Sequence, residues 1–243
     1  MNGKIDVGAV LRRTFQIYVD QAPVLMPTAA VVFVISGVFG ILLVVASPAL
    51  AILALIVSLV ATILYTGMIV ELVADVRDGK RDATVGQLLR AVSPVLGQLI
   101  LVAILAAVGE AIGFVLLIVP GLILLTIWAV AAPVVVLEHP GAMRALGRSR
   151  ELVRGNGWQV FGVILLLVIG IGVVTEALYV LANAAGTTVG LIVRVVLGIL
   201  TAPISALAAA VLYFELRDSA HAGGDLPERA DSFQTGPFPP AAP

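Results

Sequence analysis

Glu110, Glu176 and Arg194 are ionisable residues set in long runs of Val, Leu, Ile, Ala and Gly. An ionisable side chain placed in hydrocarbon is costly. It tends to face the inside of a bundle and to mark a proton, ion or substrate pathway. Counted from the outer ends of their runs, Glu110 lies about nine residues in, Glu176 about eight and Arg194 about four. At ~1.5 Å per residue all three belong in the outer half of a bilayer. Glu176 and Arg194 flank the same polar link, so the spacing predicts a Glu176–Arg194 ion pair, with Glu110 protonated or wetted from outside. The competing reading is a small polar site, built from all three and open to the outer leaflet.

A second group is Arg144, Arg148, Arg150 and Arg154, four arginines within one short stretch. On a helix they share a face. Such a cluster attracts anionic lipid head groups at roughly 1 kcal/mol per basic residue. The same arginines also orient the chain, since Lys and Arg collect in cytoplasmic loops.

Other chemistry is thin. There are no cysteines and two histidines, His139 and His221, so thiol nucleophiles, thiolate metal sites and histidine metal clusters are not expected. Gly147-Arg148-Ser149-Arg150-Glu151 is no nucleophile elbow, because it lies in a basic amphipathic stretch rather than after a strand. No His-Glu-x-x-His and no phosphate-cradling glycine loop occurs. The sequence therefore predicts no enzyme, no metal and no cofactor. A net charge of −1 gives no reason to expect nucleic acid as a partner.

The elements that carry these residues follow from composition. The chain has 243 residues, is 60% hydrophobic and only 12% charged, which places it in the membrane class. A helix needs roughly 20 apolar residues to cross the hydrocarbon core. Spans are predicted at 23–46, 48–72, 95–119, 120–137, 158–184 and 190–214. Thirteen of the fourteen Lys and Arg residues lie in segments that this arrangement puts on one side. Six spans with both termini in the cytoplasm result. Ala49-Leu50-Ala51 resembles a signal-cleavage box, but the apolar run Val24 to Ala46 is too long for a signal peptide and reads as a span. The outer links are Ser47-Pro48, Pro120-Gly121 and Asn183 to Gly190. The fourth span is the weakest, being short and holding Pro133.

Each pair of spans is preceded by an amphipathic segment. Val7 to Val19 places Val7, Val10, Leu11, Thr14 and Tyr18 on one face. Thr84 and Gln87 form a capping box before a segment that stops near Pro94. Ala142 to Arg154 gathers Ala142, Ala145, Leu146, Ser149, Leu152 and Val153 opposite the arginines, and Gly155-Asn156-Gly157 ends it. All three are expected to lie in the plane of the cytoplasmic surface with the apolar face against lipid. Asp6 to Arg12 aligns with Thr84 to Arg90 at an offset of 78. That register reads either as a parallel threefold repeat of one amphipathic helix plus two spans, or as coincidence. Residues 1–219 form one membrane domain, and 220–243, rich in Pro and Gly, are expected to be a disordered cytoplasmic tail.

Several phrases occur in a telling order. They are Val10-Leu11-Arg12-Arg13-Thr14-Phe15-Gln16-Ile17-Tyr18, Val119-Pro120-Gly121, Ala132-Pro133-Val134-Val135-Val136-Leu137-Glu138, Ala145-Leu146-Gly147-Arg148-Ser149, Gly155-Asn156-Gly157-Trp158-Gln159-Val160-Phe161-Gly162 and Leu212-Tyr213-Phe214-Glu215-Leu216-Arg217. Together they resemble the bacterial multi-span proteins of the glycerophosphoryl diester phosphodiesterase membrane-domain family. The resemblance implies a polytopic helical fold in a bacterial cell membrane. It implies no phosphodiesterase activity, since the catalytic carboxylates, histidines and metal ligands of the fused barrel have no counterparts in these residues. The expectation is a non-enzymatic membrane scaffold that engages lipids, anionic head groups on the cytoplasmic side among them, or a membrane protein partner. The alternative is a small transporter or lipid-translocating protein built on Glu110, Glu176 and Arg194.

Overall fold

A computed structural model describes residues 4–78 and 84–222. Arg81 and nearly all of the expected tail therefore lie outside the described residues. Ten α-helices appear in order: α1 (Val7–Asp20), α2 (Ala22–Ala46), α3 (Ala51–Arg77), α4 (Val85–Val92), α5 (Leu96–Leu116), α6 (Ile118–Ile127), α7 (Ala131–Glu138), α8 (Ala142–Val153), α9 (Gly157–Ala184) and α10 (Thr187–Ala222). Six helical stretches are long and apolar enough to cross a membrane, so the chain is an all-α polytopic bundle.

The three amphipathic segments are α1, α4 and α8, each leading into a pair of spans. Local chemistry starts the first two. The Asp6 carboxylate accepts from the Gly8 amide at 2.8 Å, and the Gln87 side chain accepts from the Thr84 amide at 2.8 Å. Both contacts satisfy donors that a helix start leaves open. The apolar faces do not lie against lipid as expected. Val10 and Thr14 of α1, Leu88 and Val92 of α4, and Leu146 and Leu152 of α8 are buried against other helices.

The links differ from the sequence expectation in two places. Ser47 is extended before the short turn Pro48–Leu50, as expected. The second hairpin, however, turns at Leu117 alone, with φ −165° and ψ 152°. Pro120 and Gly121 sit inside the first turns of α6, where a missing proline amide costs little. Gly121 instead serves close packing: a Cβ there would come within 2.5 Å of the Phe114 ring. The third hairpin turns at Ala185-Gly186, and the φ of 132° at Gly186 requires glycine.

The fourth span is broken. α6 stops at Ile127 and α7 starts at Ala131. Pro133 lacks the amide that would bond back to Ala129, and its ring crowds that carbonyl, which weakens the helix beside the break, although α10 runs on through Pro203. The break frees backbone groups at membrane depth, where each must find a partner. Ser149 of α8 supplies one, donating its hydroxyl to the Ile127 carbonyl at 2.8 Å.

Buried residues concentrate toward the inner ends. They run from Ile63 to Val73 in α3, Val130 to Val136 around α7, and Ile204 to Leu216 in α10. The outer stretches are bare: Val45, Ile52, Val115, Val173 and Leu181 are all exposed, and α9 buries only Val160 and Val163. Lipid tails are as apolar as these side chains, so nothing drives the outer hairpins together.

Close packing at the second hairpin is testable. A Cβ on Gly113 would lie 2.9 Å from the Gly121 Cα, whereas one on Gly170 meets nothing within 4 Å. Gly113→Val is expected to lose ~1–3 kcal/mol, the cost of overpacking. Gly170→Val should stay within about 0.5 kcal/mol of the parent. Unfolding in detergent with increasing dodecyl sulfate measures both.

Candidate functional site

The three intramembrane charges are not brought together. Glu176 and Arg194 are both exposed on the third hairpin. No ion pair joins them, and the Arg194 guanidinium lies over the Tyr179 ring, 5.0 Å from its centroid. Tyr179 stands three residues on from Glu176, on the same helix α9. A cation over an aromatic face gains attraction without desolvating a carboxylate. The expected Glu176–Arg194 pair is thus replaced by a cation–π contact.

Glu110 stands apart on α5. Its carboxylate lines a cleft of about 240 Å³ together with Leu125 and Trp128, the α9 residues Val163, Ile164, Leu167 and Val168, and the α10 residues Ser205, Ala208 and Leu212. Among the described residues, nothing donates a hydrogen bond to Glu110 or forms an ion pair with it. The break after Ile127 places Trp128 here. Its indole lies against Gly109, where a Cβ would come within 2.5 Å of the ring. A glycine beside the acid therefore makes room for the cleft's aromatic wall. Leu117 ends the helix seven residues beyond Glu110, about 10 Å away at ~1.5 Å per residue, while the lining residues Val163 and Leu212 lie toward the ends of α9 and α10 away from their shared turn.

The inner face carries the other set. Arg144 and Arg150 on α8, and Arg154 at its C-terminal cap, are exposed and make no ion pair among the described residues. Arg148 differs from them. Its Nε donates to Glu138 Oε2 at 3.1 Å, and its guanidinium meets Glu151 at 3.4 Å. The other oxygen of Glu138 accepts from the Tyr213 hydroxyl at 2.9 Å. Glu138 thus joins α7, α8 and α10 and takes Arg148 out of the free basic face. Two further pairs, Arg13–Glu215 and Arg77–Asp218, tie α1 and α3 to the end of α10. Tyr18 donates to the Leu200 carbonyl at 2.9 Å, one residue from the carbonyl that Pro203 leaves without a helical donor. Burial raises the Tyr18 phenol above its ordinary value, so it remains a donor.

Sequence reasoning passed over Glu138, Tyr213 and Ser149 as contact residues. Glu138 and Tyr213 end runs of apolar residues at the same side of the membrane, which was the available signal. Ser149 fell on the apolar face of its helix, where a lone hydroxyl points to a polar partner. Among the described residues, no three His, Asp or Glu side chains gather as a metal site. No family model, curated protein or solved structure matches the chain.

Two double-mutant cycles separate these arrangements. Glu138→Gln and Arg148→Gln are expected to be non-additive by about 0.5–1 kcal/mol, the range for a partly exposed charged pair. Glu176→Gln and Arg194→Gln should add to within ~0.5 kcal/mol. Thermal unfolding of each single and double variant in one detergent gives both numbers.

Proposed function

We propose that this chain is a non-enzymatic multi-pass protein of a bacterial cell membrane, with both termini cytoplasmic, that acts as a scaffold gathering anionic lipid. The observation that carries the reading is the outward face of α8. Arg144, Arg150 and Arg154 stand at that face without an ion pair among the described residues, and Trp158, 84% exposed, follows directly on α9. Free guanidiniums beside an exposed indole suit the boundary where lipid phosphates meet acyl chains. The thirteen-to-one distribution of basic residues supports cytoplasmic placement of this face. Resemblance to the glycerophosphoryl diester phosphodiesterase membrane-domain family supports the same setting, with no catalytic role for this region.

A second reading is favoured by the Glu110 cleft. A lone acid in an otherwise apolar cleft suits a small transporter or lipid-translocating protein. Glu110 alone would serve it, since Glu176 and Arg194 lie elsewhere.

Native mass spectrometry of protein carrying bound lipid tests the first reading. Wild type is expected to retain phosphatidylglycerol over phosphatidylcholine. Replacing Arg144, Arg150 and Arg154 together by Gln should weaken that retention on the order of a hundredfold, from ~1 kcal/mol per basic residue. Unchanged selectivity in the triple variant would overturn the lipid reading. The topology is checked on intact cells: an impermeant thiol reagent should label a cysteine at Ser47 and not one at Arg150.

A further inference from the structure

We propose that the Glu110 cleft is a binding site for a lipophilic organic cation, a positive centre carried on an apolar or aromatic body, that enters from within the membrane. The inference rests on the cleft of the second reading but not on transport, because a site can hold a ligand without moving it.

Three observations converge. First, the cleft offers a carboxylate without a partner among the described residues, at about 10 Å from the outer end of α5. A carboxylate in hydrocarbon is stabilised by a counter-charge, and neither Arg194 nor any other described cation reaches it. Second, the rest of the lining is almost wholly apolar, with Leu125, Leu167 and Leu212 on three different helices and the Ser205 hydroxyl as a minor polar point. That hydroxyl already donates to the Ala202 carbonyl at 3.3 Å. A small inorganic cation needs several oxygen ligands, and this lining does not supply them. An organic cation needs one negative charge and contact for its body. Third, Trp128 lines the cleft on the side of Gly109, next to the acid. Indole is the best side chain for attracting a cation to its face.

Size agrees. A cavity of about 150 Å³ holds a benzene ring, and this one measures about 240 Å³. The cleft is partly open, so a larger body can seat one or two aryl groups and leave the remainder outside. A ligand that already partitions into the bilayer would arrive by that opening. The charge and the apolar body must be recognised together: neither a hydrophilic ammonium nor a neutral hydrocarbon satisfies both halves of the site.

The probe is tetraphenylphosphonium, with tetraphenylborate as an anion of the same shape. Each is measured separately by equilibrium dialysis against the full chain in detergent. Wild type is expected to bind the cation in preference to the anion by at least tenfold. Glu110→Gln should weaken cation binding at least tenfold and leave the anion unaffected. Trp128→Leu should weaken it severalfold, and Glu176→Gln should leave it unchanged. Equal binding of cation and anion by wild type would overturn the proposal, as would full cation affinity in Glu110→Gln. If Glu110→Gln does not fold, Glu110→Asp and the cation–anion comparison on wild type decide the matter. The arginine-triple variant separates this site from the lipid face: it should bind the cation normally even though its lipid selectivity is lost. A cation that binds without accumulating in proteoliposomes would end the transport reading and leave the site standing.

Discussion

A backbone carbonyl left bare in hydrocarbon costs several kcal/mol, and the break between α6 and α7 frees one at Ile127. Much of the structure follows from satisfying it. The Ser149 hydroxyl reaches that carbonyl, which fixes how far α8 is driven into the bundle. With Ser149 buried, the helical period turns Arg144, Arg150 and Arg154 outward and brings Arg148 to Glu138. The same break releases Trp128 from a continuous helix and lays its indole against Gly109. One interruption, beside Pro133, therefore bears on both the basic face and the acidic cleft.

The two halves of the bundle obey different physics. At the inner end, water can reach, and tyrosines, arginines and carboxylates lock α10 to α1, α3, α7 and α8. There the amphipathic helices fill grooves between spans, and the core from Val130 to Val136 and from Leu207 to Leu216 is closed. At the hairpin ends, the turns and a few contacts such as Gly113 on Gly121 and Arg194 over Tyr179 hold helices in pairs. Apolar side chains gain little there by leaving lipid for each other, so clefts between hairpins persist.

Much of the architecture was legible because the bilayer imposes it. Apolar run length set the spans, and the caps at Asp6 and Thr84 set helix starts to within a residue. The links were less legible. Pro120-Gly121 has the composition of a turn, yet the turn is at Leu117, a residue with no turn preference. What decided it was the approach of Gly113 to Gly121, a contact between helices that no local pattern records. The orientation of the amphipathic helices was hidden for a similar reason. A face of Ala, Leu and Val reads alike whether it meets lipid or protein. Ser149 within that face was the one sign that the partner is protein.

The site was legible in part, and the limit is instructive. Glu110 and Glu176 look equivalent in sequence, each an acid about one-third of the way into an apolar span from its outer end. The difference lies in their neighbours across space. Glu176 belongs to the outer part of α9, where the hairpin stands alone and the acid is exposed to the surroundings. Glu110 has Gly109 beside it, and that glycine admits an indole from a helix broken beside a proline twenty-three residues further on. Only that combination turns a costly buried acid into a walled site. An acid in a span states that something must compensate its charge. The walls around it decide what the compensating group looks like, and here they call for a cation with an apolar body.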